Sequence, residues 1–252
     1  MFRLLKVRPP HGWNAVAWEL AIVTLGVLMA LGAQQWADER SWRQRAVAAR
    51  EALREELSYH YLAAVEWRMA APCISAQLDQ LQERVLASGG ALDPAPLYED
   101  RVTGSYKYVV RTPSRPYADS VWQNINSTGV SSYLDKDDQL ELGWHYKQAK
   151  DADVQNEQIA LLASRLGALS KPLAVDPGVK LSLIQTIDEL RGNNRWMNIK
   201  VGQLVDHIVK LRMAPPRDST EKFLVTSEAL NFCRKQDLPT LPIAEALVPI
   251  PS

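Results

Sequence analysis

Few residues of this 252-residue chain are of a type and spacing that could do chemistry. Its four histidines, His11, His60, His145 and His207, stand apart in sequence: none has a His or Cys one helical turn away, and neither HExxH nor CxxC occurs. A built-in metal site draws on such clustered ligands, so no metal site is expected. His60 and His207 fall at or near apolar stripes, where a lone imidazole reads as a core or boundary residue. Ser219 and Lys222 match SxxK, but no SDN or KTG accompanies them, and a serine just after Pro215-Pro216 reads as a helix cap. Asp135, Asp137 and Asp138 lack the glycine and distal glutamate of a calcium loop, and they too read as a cap. With no GxSxG and no glycine-rich phosphate loop, the sequence assigns no catalytic, cofactor-binding or metal residue and implies no cofactor.

Two features remain. Cys73 and Cys233 are the only cysteines, so they form either one disulfide or two buried thiols. In an oxidising compartment a bridge between them would close a loop of 233 − 73 = 160 residues. The chain-entropy argument values such a closure at about 4–5 kcal/mol. The second feature is a stripe: Glu19, Val23, Gly26, Ala30, Ala33 and Ala37 recur at alternating spacings of four and three. That places one carboxyl and four small residues on one helix face. Small residues let a second helix approach closely in lipid, and a carboxyl near the bilayer is costly unless paired or hydrated. The plainer reading is that Glu19 sits at the interface and reaches water.

The element that must carry this stripe runs from Trp13 to Trp36. Leu20 to Trp36 contains no charge, and extending back to Gly12 adds only Glu19. About 20 such residues span a hydrocarbon core of about 30 Å. Trp13, Trp18, Trp36 and Trp42 flank or lie in the stretch, as interfacial rings do. A cleavable signal peptide competes, with Ala30-Leu31-Gly32 as its small-x-small site. The long charged approach with Glu19, and the lack of a turn after that site, favour a retained anchor. Arg3, Lys6 and Arg8 precede the anchor, whereas Arg40, Arg43, Arg45, Arg50 and Arg54 follow it. The raw count does not favour an internal amino terminus, but long domains translocate largely regardless of charge. Paired cysteines prefer an oxidising side. The expected topology is therefore amino terminus inside and domain outside.

The run Trp18-Glu19-Leu20, Gly26-Val27-Leu28, Ala30-Leu31 and Gln35-Trp36, followed by a charged helix, resembles an uncharacterised family of bacterial single-span envelope proteins. Members of that family carry Gly-Glu, an Ile/Leu/Val run with an internal Gly, Ala-Leu, then Asn-x-Trp-Asn. Here Trp18 stands for the Gly and Gln35 for the usual Asn. Ser120-Val121-Trp122, Gly129 and Tyr146 are also similar. The family has no established activity, so the resemblance implies a topology and a helical domain rather than a reaction. It places the chain in the bacterial inner membrane as a single-pass protein with a periplasmic domain.

Beyond the anchor the chain reads as helical. No Gly or Pro lies between Ala37 and Ala70, and Trp42, Ala46, Ala49, Leu53, Leu57, His60 and Ala64 form a stripe. Pro72 is expected to end this helix, and a second runs from Cys73 to Ala87 with Ile74, Leu78, Leu81 and Val85 inside. Leu97–Val102 and Tyr106–Val110 suit a small hairpin or an extended loop. A short helix follows Asp119. A long one starts at Asp135, with Leu140, Trp144, Ala149, Val154, Ile159, Leu162 and Leu166 among its apolar positions. Asp176-Pro177 opens another, whose rhythm from Leu183 to Leu211 predicts one unbroken helix despite Gly192-Asn193-Asn194. A last helix is expected over Ser219–Lys235. The fold class is therefore all-α: a transmembrane helix continuing into an antiparallel bundle, with a possible hairpin near 97–110. The divisions are a cytoplasmic tail (1–12), an anchor (13–36), a periplasmic helical domain (37–235) and a Pro-rich extended tail (236–252).

Composition narrows the function classes. The formal net charge is +0, with no basic block interleaved with aromatics, which argues against nucleic acid as a partner. The expected partners are the lipid bilayer and a membrane or periplasmic protein, or a second copy of the chain. The favoured class is an interaction or scaffold subunit. The alternative is a ligand-binding or sensory module, which with about twelve internal residues would signal through a partner. An unrecognised hydrolase ranks third.

Overall fold

The computed structural model describes residues 13–96, 98–99 and 107–248. His11, the tail 1–12 and the tip of the expected hairpin lie outside them. The first element, α1 (Trp13–Ala87), is a single helix of 75 residues. At 1.5 Å per residue it is about 110 Å long. Its amino-terminal part is long and apolar enough to cross a membrane, and none of that window is buried in the protein. Its carboxy-terminal half forms the core of the domain.

The expected break at Pro72 does not occur; α1 runs through it. Proline removes one backbone donor and disturbs the preceding turn. Neighbouring elements bond to the same stretch: Asn194 Nδ2 donates to Ala71 O at 3.0 Å, and Leu241 N donates to Met69 O, in the turn that Pro72 disturbs, at 3.0 Å. The helix therefore continues with Ile74, Leu78, Leu81 and Val85 buried as their spacing required.

Two other long helices pack with α1, namely α3 (Lys136–Arg165) and α4 (Pro177–Lys210), counting a short α2 (Ser120–Ser127) between α1 and α3. Arg50 meets Asp138, Glu56 meets Tyr146 and His60 meets His145, so α3 runs parallel to α1. Asp79 meets Arg191 and Ala71 meets Asn194, so α4 runs antiparallel to both. Leu53, Leu57, Ile74 and Leu78 of α1, Leu142 of α3, and Ile187, Leu190, Met197, Leu204 and Ile208 of α4 are among the fully buried side chains. The caps are as expected: Asp135 accepts from Asp137 N at 2.9 Å, and Asp176 accepts from Val179 N at 2.8 Å with Pro177 behind it.

Because α1 and α3 are parallel, the chain must return along the domain between them. It does so through β1 (Ala91–Leu92), the hairpin pair β2 (Tyr98–Glu99) and β3 (Lys107–Tyr108), the segment 109–119, α2 and a 3-10 turn at Val130–Tyr133. The hairpin pairs Tyr98 with Tyr108 and Glu99 with Lys107. After α3 and a 3-10 turn at Leu166–Ser170, β4 (Leu173–Ala174) pairs with β1, a contact the sequence did not announce. At the end nearest the anchor, Tyr133 stacks on Trp42 with ring centroids 5.3 Å apart. Trp42 is six residues beyond Trp36, so the domain begins about 9 Å along the helix from the end of the apolar run.

Two expectations need correction at the carboxy-terminal end. The single helix over Ser219–Lys235 is two, α5 (Arg217–Thr226) and α6 (Glu228–Lys235), because Ser227 turns the chain and caps α6 by accepting from Leu230 N. The tail from 236 is not simply extended. It contains α7 (Ile243–Ala246), and Arg68 of α1 donates to the carbonyls of Glu245, Ala246 and Val248. Ala246 is fully buried as a result.

Candidate functional site

The two cysteines meet. Cys73 of α1 and Cys233 of α6 are disulfide-bonded with Cα atoms 6.0 Å apart, and both are buried. The bridge ties the carboxy-terminal α5–α6 corner to the rod. Beside it, buried Gln77 donates from Nε2 to Arg111 O at 3.1 Å and accepts from Arg111 N at 2.7 Å. One side-chain amide thereby clamps the returning segment to α1.

The anchor stripe lies open. Glu19, Val23, Gly26, Ala30, Ala33 and Ala37 are all exposed, and nothing in the protein comes within 4 Å of a Cβ built on Gly26. Leu20, Ile22, Val23, Leu25, Leu28, Met29 and Leu31 are each more than half exposed. A bare apolar surface of this extent has to be covered by lipid or protein.

The SxxK pair is not a buried nucleophile site. Ser219 and Lys222 are exposed in the first turns of α5, which starts two residues earlier than expected with Pro216 at the cap position.

What sequence reasoning missed is the company the histidines keep. Each of the three long helices contributes one: His60 from α1, His145 from α3 and His207 from α4. His60 Nδ1 and His145 Nε2 share a hydrogen bond at 2.9 Å, their rings stacked 5.2 Å apart, and His207 lies edge-on to His145 at 6.5 Å. All three are buried. Around them, Tyr146 donates to Glu56 Oε1 at 2.5 Å, Val121 N donates to Glu56 Oε2, and His207 Nδ1 donates to Glu141 Oε1 at 2.6 Å. His145 Nδ1 has no hydrogen-bond partner among the described residues. Burial pushes the His60 pKa down to about 4, against the opposing pull of Glu56, the Ala118 backbone and Asp119. Burial, reinforced by the neighbouring His60 and His207, drives His145 well below the ordinary imidazole range. The pair is thus held neutral. Among the described residues no three His, Cys, Asp or Glu side chains are arranged to hold a metal ion.

This cluster also corrects the buried face of α3. Ala149, Ile159, Leu162 and Leu166 are buried as expected, but Leu140, Trp144 and Val154 are exposed. His145 and Tyr146 take the inward positions because His60 and Glu56 of α1 supply their partners. An apolarity pattern alone ranks Trp144 above His145. The available signal was that the two residues after Trp144 both needed a polar contact.

Comparison with protein-family models, with curated proteins and with solved structures finds no match for this chain.

Proposed function

We propose that the protein is a single-pass membrane protein of the bacterial envelope, holding its helical domain in the periplasm for a protein partner. The carrying observation is that one unbroken helix joins a bare apolar segment to the core of a disulfide-stapled domain. Lipid is the cover that best suits the exposed run, since soluble monomers rarely leave so large an apolar patch in water. The bridge supports an oxidising location for the domain, and with it an internal amino terminus. A continuous rod fixes the domain's height and bearing relative to the membrane, which favours a scaffold or accessory subunit over a loosely tethered module. The Glu19–Gly26–Ala30 face is the surface through which the anchor meets a neighbouring helix or a second copy.

Two measurements test this reading. Alkaline phosphatase fused after Ser252 should be active; an inactive but expressed fusion reverses the topology. Replacing Gly26 and Ala30 by leucine should abolish lateral crosslinking in membranes while leaving insertion intact. Unchanged crosslinking removes the proposed contact face.

A further inference from the structure

The end of the domain nearest the anchor, its foot, carries aromatic and cationic groups that the core does not use. Tyr133, in the 3-10 turn before α3, stacks on Trp42 of α1 with the ring planes 1° apart. The pair is left partly in the open: Tyr133 is 44% exposed and Trp42 only half-buried. Residues 126–129 and Ser132, around the same turn, are exposed as well. The turn is a low point of the bundle, because α4 ends beside Glu141, farther from the anchor.

Two arginines of this stretch have no carboxylate. Arg43 is paired with Glu39, and Arg50 with Asp138. Arg40 instead lies over the Trp36 ring, 5.7 Å from its centroid, and Arg45 over the Trp42 ring at 4.8 Å. Among the described residues neither makes an ion pair. Each reaches back about one helical turn, which in α1 is toward the anchor, as helical side chains lean toward the amino terminus. The Arg40 guanidinium therefore stands level with the end of the apolar run, and that of Arg45 about 9 Å beyond it.

Depth decides the partner. The headgroup layer adds about 5–7 Å to each side of a hydrocarbon core. Tryptophan and tyrosine rings concentrate there, because an apolar face and a polar edge suit its two sides. With side chains leaning back toward the anchor, the Trp42 ring and both guanidiniums come within reach of that layer. A guanidinium there meets lipid phosphate, which it can hold through two parallel hydrogen bonds. Exposed Asp38, Asp135 and Asp137 balance Arg40, Arg45 and Lys136, so net charge does not drive the contact. The aromatic pair and local phosphate contacts do, and an uncharged phospholipid suffices.

We propose that the foot of the domain docks on the headgroup layer of the bilayer that holds the anchor. The Trp42–Tyr133 stack sits among the headgroups, and Arg40 and Arg45 hold lipid phosphates. The occupant follows from continuity, since the helix that carries Trp42 is the one that carries the anchor. The proposal rests on the single-pass membrane reading and adds to it a second attachment, which fixes the tilt of the domain as well as its height.

The test is depth-dependent quenching of the full chain in phosphatidylcholine vesicles. Both native cysteines are in the disulfide, so one introduced thiol carries a fluorescent label. Ser132→Cys puts it at the foot, Ser164→Cys at the far end of α3 and Leu28→Cys in the apolar run, all at exposed positions. The nitroxide quencher is placed on the lipid headgroup or in mid-chain. The label at 132 should be quenched by the headgroup nitroxide at least about twofold more strongly than the label at 164. Arg40→Gln/Arg45→Gln should cut that excess at least about twofold while leaving mid-chain quenching of the label at 28 unchanged. If the label at 28 is quenched but the label at 132 is quenched no more than that at 164, the docking is overturned and the anchor stands. A double variant quenched at 132 as strongly as the parent also overturns it. A label at 28 that escapes the mid-chain nitroxide overturns the membrane reading, and the docking with it.

Discussion

Acid should destabilise this domain at a pH where carboxylates are still charged, because two imidazoles are buried neutral against each other. An unfolded histidine titrates near 6.5, whereas His60 in the fold titrates at about 4. Between those values the unfolded chain takes up a proton that the native chain refuses. Stability from this source is complete above about pH 6.5 and is lost as the pH falls toward 4. The gap of 6.5 − 4 = 2.5 units, at about 1.4 kcal/mol per unit, sets a ceiling of about 3 kcal/mol. At pH 5 the same linkage gives about 2 kcal/mol for His60 alone. His145, also pushed down by burial, acts in the same direction. With a urea slope of about 2–3 kcal/mol per molar, the unfolding midpoint should drop by about 0.7–1 M between pH 7.5 and pH 5. The assay is urea unfolding of the full chain in detergent, followed by tryptophan fluorescence. The control is the double variant His60→Leu/His145→Phe. Replacing both partners by apolar groups of similar shape should be nearly neutral at pH 7.5 and should remove most of the acid sensitivity. A parent midpoint that stays put at pH 5, or a double variant that loses as much as the parent, would refute the buried neutral pair.

Breaking the Cys73–Cys233 bridge by substituting both residues with serine releases a 160-residue loop and should cost about 5 kcal/mol in urea unfolding, with α5 and α6 losing protection from proteolysis first. An unchanged midpoint would show that α6 is held by packing alone. Asn194→Leu strips the donor from the Ala71 carbonyl beside Pro72 and should cost about 1–3 kcal/mol, with faster amide exchange around residues 69–75. Exchange unaltered there would mean that the proline turn needs no outside donor.

Much of this architecture was legible because it is written locally. The uncharged run after Glu19, the helix-forming stretch up to Ala70, Asp135 and Asp176 as caps, and the rhythm from Leu183 to Leu211 are all short-range signals, and all correspond to observed helices. Pro72 misled for a physical reason. Its effect depends on whether other elements support the surrounding turns, and Asn194 and Leu241, which bond to them, lie more than a hundred residues away. Ser227 likewise looks like any helix residue until its hydroxyl is seen capping α6 and meeting Glu66.

Hydrophobic periodicity and caps act over a few residues, so the helical class, the long apolar first segment with its small-residue stripe, and the two cysteines available for pairing could be read along the chain. That Cys73 meets Cys233, that α3 runs parallel to α1, and that His60, His145 and His207 converge follows only from how the folded elements pack. That packing alone brought Glu66, Arg111, Arg115 and Glu228 to the wall of one cavity. Burial and partnership across 49 to 161 residues fix the protonation of a histidine or the pairing of a glutamate, and no window along the chain contains them.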